Sequence, residues 1–110
     1  MLTDIEQLEK EETKRLLNEF GMPQNWLGTK FIITAIPYVI DKFCSGEKSV
    51  MNDLYKYVAK KHKTTSSKVE CAIRYFHENT DIASKFNISK VTNQRLILLI
   101  ANRVIEKLNI

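Results

Sequence analysis

Apolar positions recur along this chain at the three- and four-residue spacing of helices, and no segment reads convincingly as a strand. Over residues 4–19, Ile5, Leu8, Leu16, Leu17 and the following Phe20 form an apolar stripe, with Glu9, Glu11 and Glu12 assigned to the exposed side. Asp4 is placed to cap this first helix. Gly21 is a left-handed stop and Pro23 prevents continuation. A second helix is predicted from about Trp26 or Gly28 to Phe43. Phe31, Ile32, Ile36, Val39, Ile40 and Phe43 make it the most apolar segment, and so the expected central helix. Pro37 should remove one backbone hydrogen bond and bend it. Residues 45–48 read as its exit turn. A third helix is predicted over about 50–62, with Met51, Leu54, Val58, Tyr55 and Tyr57 packing inward or along the edge.

The fourth helix is predicted over 66–79. At about 100° per residue, Val69, Ala72, Ile73 and Phe76 share one side, and Ser67, Cys71, Arg74 and Glu78 the other. Lys68, Glu70 and Tyr75 flank the outward side. A short fifth helix is predicted near 81–86. Thr92 should cap a last helix of about 93–108, with Leu96, Leu99, Ile100, Val104 and Leu108 inward and Arg95, Arg103 and Lys107 exposed. Trp26, Phe31, Phe43 and Phe76 are expected in the core, and His62 in a structural, semi-buried place, with His77 at the surface. The expectation is an all-α, compact six-helix single domain over residues 1–110.

The stretch from Leu54 to Arg74 has the layout of a helix-turn-helix DNA reader, about 50–79 in all. Ala59 is small where the two helices of such a motif cross, Val58 lies beside it, and Val69 presents the buried face of the second helix. Thr64, Thr65, Ser66 and Ser67 supply capping oxygens. The turn of such motifs often holds Gly where this chain has Lys63. A left-handed Lys costs more than Gly, so a slightly longer or differently shaped turn is expected.

Composition sharpens this picture. The 110 residues are 44% hydrophobic, enough for one core, and hold only three Gly and two Pro, too few for a loop-rich design. No apolar run approaches the roughly 20 residues of a membrane span, and the start has no secretion signal. Cys44 and Cys71 have no metal-ligand spacing and, in a chain without a secretion signal, read as free cytosolic thiols. The net charge is +4, unevenly spread: residues 1–55 hold six Lys/Arg against nine Asp/Glu, and residues 56–110 eleven against four. Within 56–74, six basic residues face Glu70 alone. Clustered Lys and Arg supply DNA affinity by neutralising phosphates. No catalytic constellation, metal cluster or Gly-rich phosphate loop is present, and neither a cofactor nor a small-molecule substrate is expected.

Four segments carry a family resemblance: Leu17-Asn-Glu-Phe-Gly-Met-Pro23, Val58-Ala-Lys-Lys-His-Lys-Thr-Thr-Ser-Ser-Lys-Val-Glu70, Ala72-Ile-Arg74 and Thr92-Asn93. Over about residues 14–108 the chain resembles the C-terminal effector domain of the sporulation stage-zero A response-regulator family. The resemblance implies a six-helix domain whose third and fourth helices form the helix-turn-helix. It implies binding to a short operator resembling TGTCGAA, often as tandem head-to-tail copies. In the family a basic-x-Glu-Arg pattern on the fourth helix touches base edges. Here Lys68 matches the basic position, Glu70 the acidic one and Arg74 a following Arg, while Cys71 stands where the family has its second Arg. The family's phosphoacceptor receiver domain has no counterpart in these residues, as for an excised domain or a stand-alone relative. A stand-alone chain would not be switched by aspartyl phosphorylation.

The expected partner is therefore double-stranded DNA, with a possible homodimer or tandem arrangement on it, and no membrane. Lys68, Glu70, Cys71 and Arg74 are the expected base contacts. Lys60, Lys61, Lys63, Thr65, Ser66, Ser67, Lys90, Thr92 and Asn93 are the expected phosphate contacts, the hydroxyl residues because helix N-termini favour anions. The competing reading is a helical protein-interaction module on the same scaffold, which has lost operator reading through Cys71 and modulates a partner regulator.

Overall fold

The computed structural model describes residues 4–46 and 51–109. Six helices follow one another: α1 (Asp4–Glu19), α2 (Leu27–Cys44), α3 (Met51–Lys61), α4 (Ser66–Glu78), α5 (Ile82–Lys85) and α6 (Asn93–Leu108). Asp4 is the first helical residue of α1, so the position that would cap it, like part of the turn read at 45–48, falls outside the described residues.

α2 is the hub, as its apolar run predicts. It packs against α1, α3, α4 and α6, and Ile32, Ala35, Ile36, Val39 and Ile40 are buried to within 1%. It continues through buried Pro37 to Cys44. Its start is unusually close to α4. A Cβ added at Gly28 would lie 2.5 Å from the carbonyl oxygen of Ala72 and 2.7 Å from the Cβ of Phe76. Only a residue without a side chain lets the two backbones meet there. Beside Gly28, Trp26 is half-buried and sets its ring against Tyr75 and Phe76. Phe31 and Phe76 are core, but Phe43, expected with them, is 40% exposed at the last turn of α2.

α1 departs most from expectation. Glu9 (4% exposed) and Glu12 (9%) are buried, whereas Ile5 (59%) and Leu8 (51%) are exposed; Glu11 is exposed as predicted. Helical phase explains the reversal. At about 100° per residue, Glu9, Glu12, Thr13 and Leu16 share one side, and burial follows that phase rather than charge. Leu8 lies at its edge. Ile5 shares the phase but sits in the first turn, at the mouth of a groove shared with Pro37, Tyr38, Cys44 and Tyr57. Glu12 is compensated by Arg15, whose Nε donates to both carboxylate oxygens at 3.0 Å and which holds that carboxyl below its ordinary pKa. Glu9 lines the groove with Glu6 and Asp41. Burial, then those two carboxylates, push its pKa up to about 7.

Helix ends follow local chemistry. Gly21 has φ +76°; its N–H donates to Asn18 O and that of Met22 to Leu17 O, the paired bonds of a Schellman ending. The same pair closes α5, with Asn87 left-handed: its N–H donates to Ser84 O and that of Ile88 to Ala83 O. No helix among the described residues is long and apolar enough to cross a membrane.

Candidate nucleic-acid interface

The turn from α3 into α4 sets the candidate surface. α3 ends with the N–H of Lys63 donating to Lys60 O at 3.4 Å and that of Thr64 to Ala59 O at 2.9 Å. This is the Schellman ending seen at Gly21, with Lys63 in the left-handed region at φ 54°. The longer or differently shaped turn expected from Lys is therefore not found. The two paired bonds hold the side-chain-bearing residue in the conformation that Gly adopts more cheaply. Thr65 then caps α4: its hydroxyl oxygen accepts from Lys68 N at 3.2 Å. Ala59, buried in α3, and Val69, buried in α4, lie on the elements the turn brings together.

On α4 the inward side is Val69, Ile73 and Phe76, all fully buried, with Ala72 half-buried against Gly28. Ser67, Lys68, Cys71, Arg74 and Glu78 are exposed. Arg74 folds back along its own helix, donating to Glu70 Oε1 at 3.3 Å and to Cys71 Sγ at 3.5 Å. Both side chains of the Glu70–Arg74 pair are nearly half exposed, so the pair contributes only a few tenths of a kcal/mol and is easily exchanged for another partner. Glu70, Cys71 and Arg74 thus form one exposed cluster, with Lys68 one turn nearer the N-terminus.

The expected phosphate-facing residues lie in different settings. Lys60, Lys63, Thr65 and Ser67 are exposed around the α3–α4 turn. Lys61 is exposed too, but its ammonium sits over the Tyr57 ring, 5.6 Å from the centroid, and that ring packs on Tyr38 of α2. Ser66 and Ser67 share a shallow groove with Glu70, Asn52, Tyr55 and Lys56. Lys90 and Thr92 line another groove, with Gln94, Arg95 and Leu98 along the first turns of α6. Thr92 also caps α6, accepting from Arg95 N at 3.2 Å.

Asn93, the first residue of α6, is placed differently from Lys90 and Thr92 in the loop before it. Its amide nitrogen donates to the Tyr55 hydroxyl at 3.0 Å and to the Glu70 carbonyl at 3.1 Å. Its amide oxygen lies 2.7 Å from His77 Nε2. Half-buried His77, expected at the surface, is thereby tied to α6. Burial raises the Tyr55 pKa, and the Asn93 bond opposes that, so the phenol keeps its proton at neutral pH. His62 is exposed rather than semi-buried, yet its ring stands edge-on to Phe31 and its Nε2 is 2.6 Å from Thr34 Oγ1. Partial desolvation, then Lys10 and Lys30, lower its pKa.

Asn52, Lys56, Tyr55 and His77 border the outward side of α4, and none of them reads as a site residue from the sequence. Lys56 was visible only as one charge of the 56–74 cluster. Asn52 carried no signal, because its place depends on how α3 crosses α4. Cys44 and Cys71 are free and exposed. Among the described residues no group of three or more His, Cys, Asp or Glu is placed to hold a metal ion.

A capped helix with a charged outward side, entered through a tight turn and bordered by basic residues from α3 and the α6 loop, has the make-up of a nucleic-acid-binding surface. Comparison with known families agrees. The model of the family described as sporulation initiation factor Spo0A C terminal matches residues 13–104. It is a family of DNA-binding effector domains rather than of enzymes. Since the match spans most of the 110 residues, this all-helical chain belongs to the Spo0A C-terminal family, whose setting is transcription regulation in sporulation.

Proposed function

We propose that this chain is a sequence-specific binder of double-stranded DNA that regulates transcription, with α4 entering the major groove. The observation that carries the reading is the exposed Glu70–Cys71–Arg74 cluster on a helix whose entry is held by the Lys63 turn and the Thr65 cap. An α-helix fits the major groove, and the N-terminal part of such a helix reaches base edges. In this reading Arg74 leaves Glu70 for a guanine, Glu70 accepts from a cytosine amino group, and Lys68 meets a base edge or phosphate. Cys71 contributes no bidentate contact. Lys60, Lys63, Thr65, Ser66, Ser67, Lys90 and Thr92 grip phosphates and set the register. Lys61 joins them on releasing the Tyr57 ring. Two copies occupy adjacent operators head to tail.

The test is fluorescence anisotropy of the purified chain with a duplex carrying a TGTCGAA-like operator and with a scrambled duplex, at two salt concentrations. Tighter binding to the operator that weakens as salt rises is the expected result. Equal, salt-sensitive binding to both duplexes would leave phosphate gripping but remove reading of that sequence. Absence of binding to either would overturn the proposal in favour of a protein-interaction module. Titrating the operator duplex in single and tandem form gives the stoichiometry.

A further inference from the structure

We propose that the Asn93 side chain positions the reading helix from behind and takes no part in gripping phosphate. The inference rests on the DNA-reading proposal above and assigns a role within the same surface. A phosphate oxygen only accepts hydrogen bonds, so a side chain that grips it must offer a free proton. The Asn93 amide has two, and both are committed: one to the Tyr55 hydroxyl at 3.0 Å, one to the Glu70 carbonyl at 3.1 Å. The Glu70 carbonyl can only accept, which fixes the amide orientation and leaves Oδ1 facing His77. His77 Nε2 must therefore carry the proton in that 2.7 Å bond.

One half-buried amide thus joins three helices: Tyr55 from α3, Glu70 and His77 from α4, and α6, which it begins. The two α4 bonds are seven residues apart, two turns along the same helix, so they fix both its rotation and its tilt relative to α6. Glu70 is held by its backbone, leaving its carboxylate on the outward side beside Arg74. Loss of the amide frees α4 to shift by the fraction of an ångström that spoils base-edge geometry, while the phosphate-facing lysines on α3 and in the α6 loop keep theirs.

The test compares the wild-type chain with Asn93→Ala and Asn93→Asp by anisotropy on two duplexes: the sequence that wild type enriches from a random pool, and its scrambled form. Asn93→Asp guards against simple unfolding. It keeps the volume and the His77 bond, and an acidic residue suits the first turn of a helix, yet it lacks both donors. The expected result for both variants is that discrimination of the enriched from the scrambled duplex drops about tenfold, the loss of one net hydrogen bond. With Asn93→Ala, which adds no charge, affinity for the scrambled duplex changes little, whereas the carboxylate of Asn93→Asp weakens both duplexes by a common factor. In nitrogen NMR of the wild-type His77 ring, Nε2 is expected to be the protonated site. An equal loss on both duplexes with Asn93→Ala would mark Asn93 as a phosphate contact and overturn the proposal, as would unchanged discrimination in both variants. Failure of wild type to enrich any duplex would instead sink the DNA-reading proposal, and this inference with it.

Discussion

At the scale of single residues, position 71 is the sharpest departure from the family pattern. A thiol there replaces the guanidinium that the resemblance leads one to expect, and a bidentate Arg–guanine pair is worth about 1–3 kcal/mol of discrimination. Cys71→Arg is therefore expected to tighten binding to a TGTCGAA-like duplex at least several-fold over a scrambled one. Unchanged affinity in the anisotropy titration would show that the thiol is not what limits reading. Glu9 makes a different kind of prediction. Its folded pKa of about 7 lies above the ordinary 4.5, so the folded chain holds this proton more tightly than the unfolded one does. Below about pH 4.5 both states are protonated and the stabilising effect of the retained proton is complete; it is lost as pH rises through 7. Glu9→Gln should leave melting unchanged near pH 4.5 and raise Tm by several degrees near pH 8. Equal melting of the two chains near pH 8 would mean that the buried carboxyl carries no such cost. Glu12 shifts the opposite way, held down by Arg15, so its contribution fades as pH falls and cancels in this comparison. Nothing in the type of residue 9 announced its burial. Its angular place relative to Leu16 did, once the phase was taken from the core residues rather than from the first apolar ones.

At the scale of elements, two junctions carry α4. The first is the Schellman turn, where Lys63 takes the left-handed conformation. A Cβ-bearing residue there costs roughly 1–2 kcal/mol, and Gly recovers part of that while adding backbone entropy to the unfolded chain. Lys63→Gly should stabilise the fold by about 0.5–1 kcal/mol in urea melts and, by removing a cation, weaken binding to any duplex. A loss of stability would show that the Lys side chain contributes more than its backbone costs. The second junction is Gly28 against Ala72. Backbone cannot yield as a side chain can, so Gly28→Ala should destabilise by about 1–3 kcal/mol and disturb amide NMR signals along α4 before those of α1. A near-neutral melt would contradict the close approach. The Thr65 and Thr92 caps and the Gly21 stop were all legible, since each depends on residues within a turn of one another. The Gly28 contact was not, because it pairs the first turn of α2 with a helix more than forty residues on.

At the scale of the molecule, α2 is surrounded by α1, α3, α4 and α6, so the surface proposed to meet DNA is mounted on a single core. The charge follows a gradient along the chain, acidic through residue 55 and basic beyond it. If the phosphate grip runs from the end of α3 to the loop before α6, then replacing Lys60 and Lys90 together with Gln should weaken binding to operator and scrambled duplexes alike. It should also reduce the slope of log affinity against log salt by about 2. An unchanged slope would place both lysines outside the footprint. Six helices, their order, most of their ends, the α3–α4 unit and the basic half of the chain were determined by the sequence alone. Helical period, capping and charge act over a few residues and leave a readable local pattern. Tertiary structure alone decided that Gly28 admits the backbone of α4, and that Asn93 gathers Tyr55, Glu70 and His77, which lie 38, 23 and 16 residues away along the chain. Those contacts arise from how helices cross, and a crossing has no period, cap or motif by which the chain could announce it.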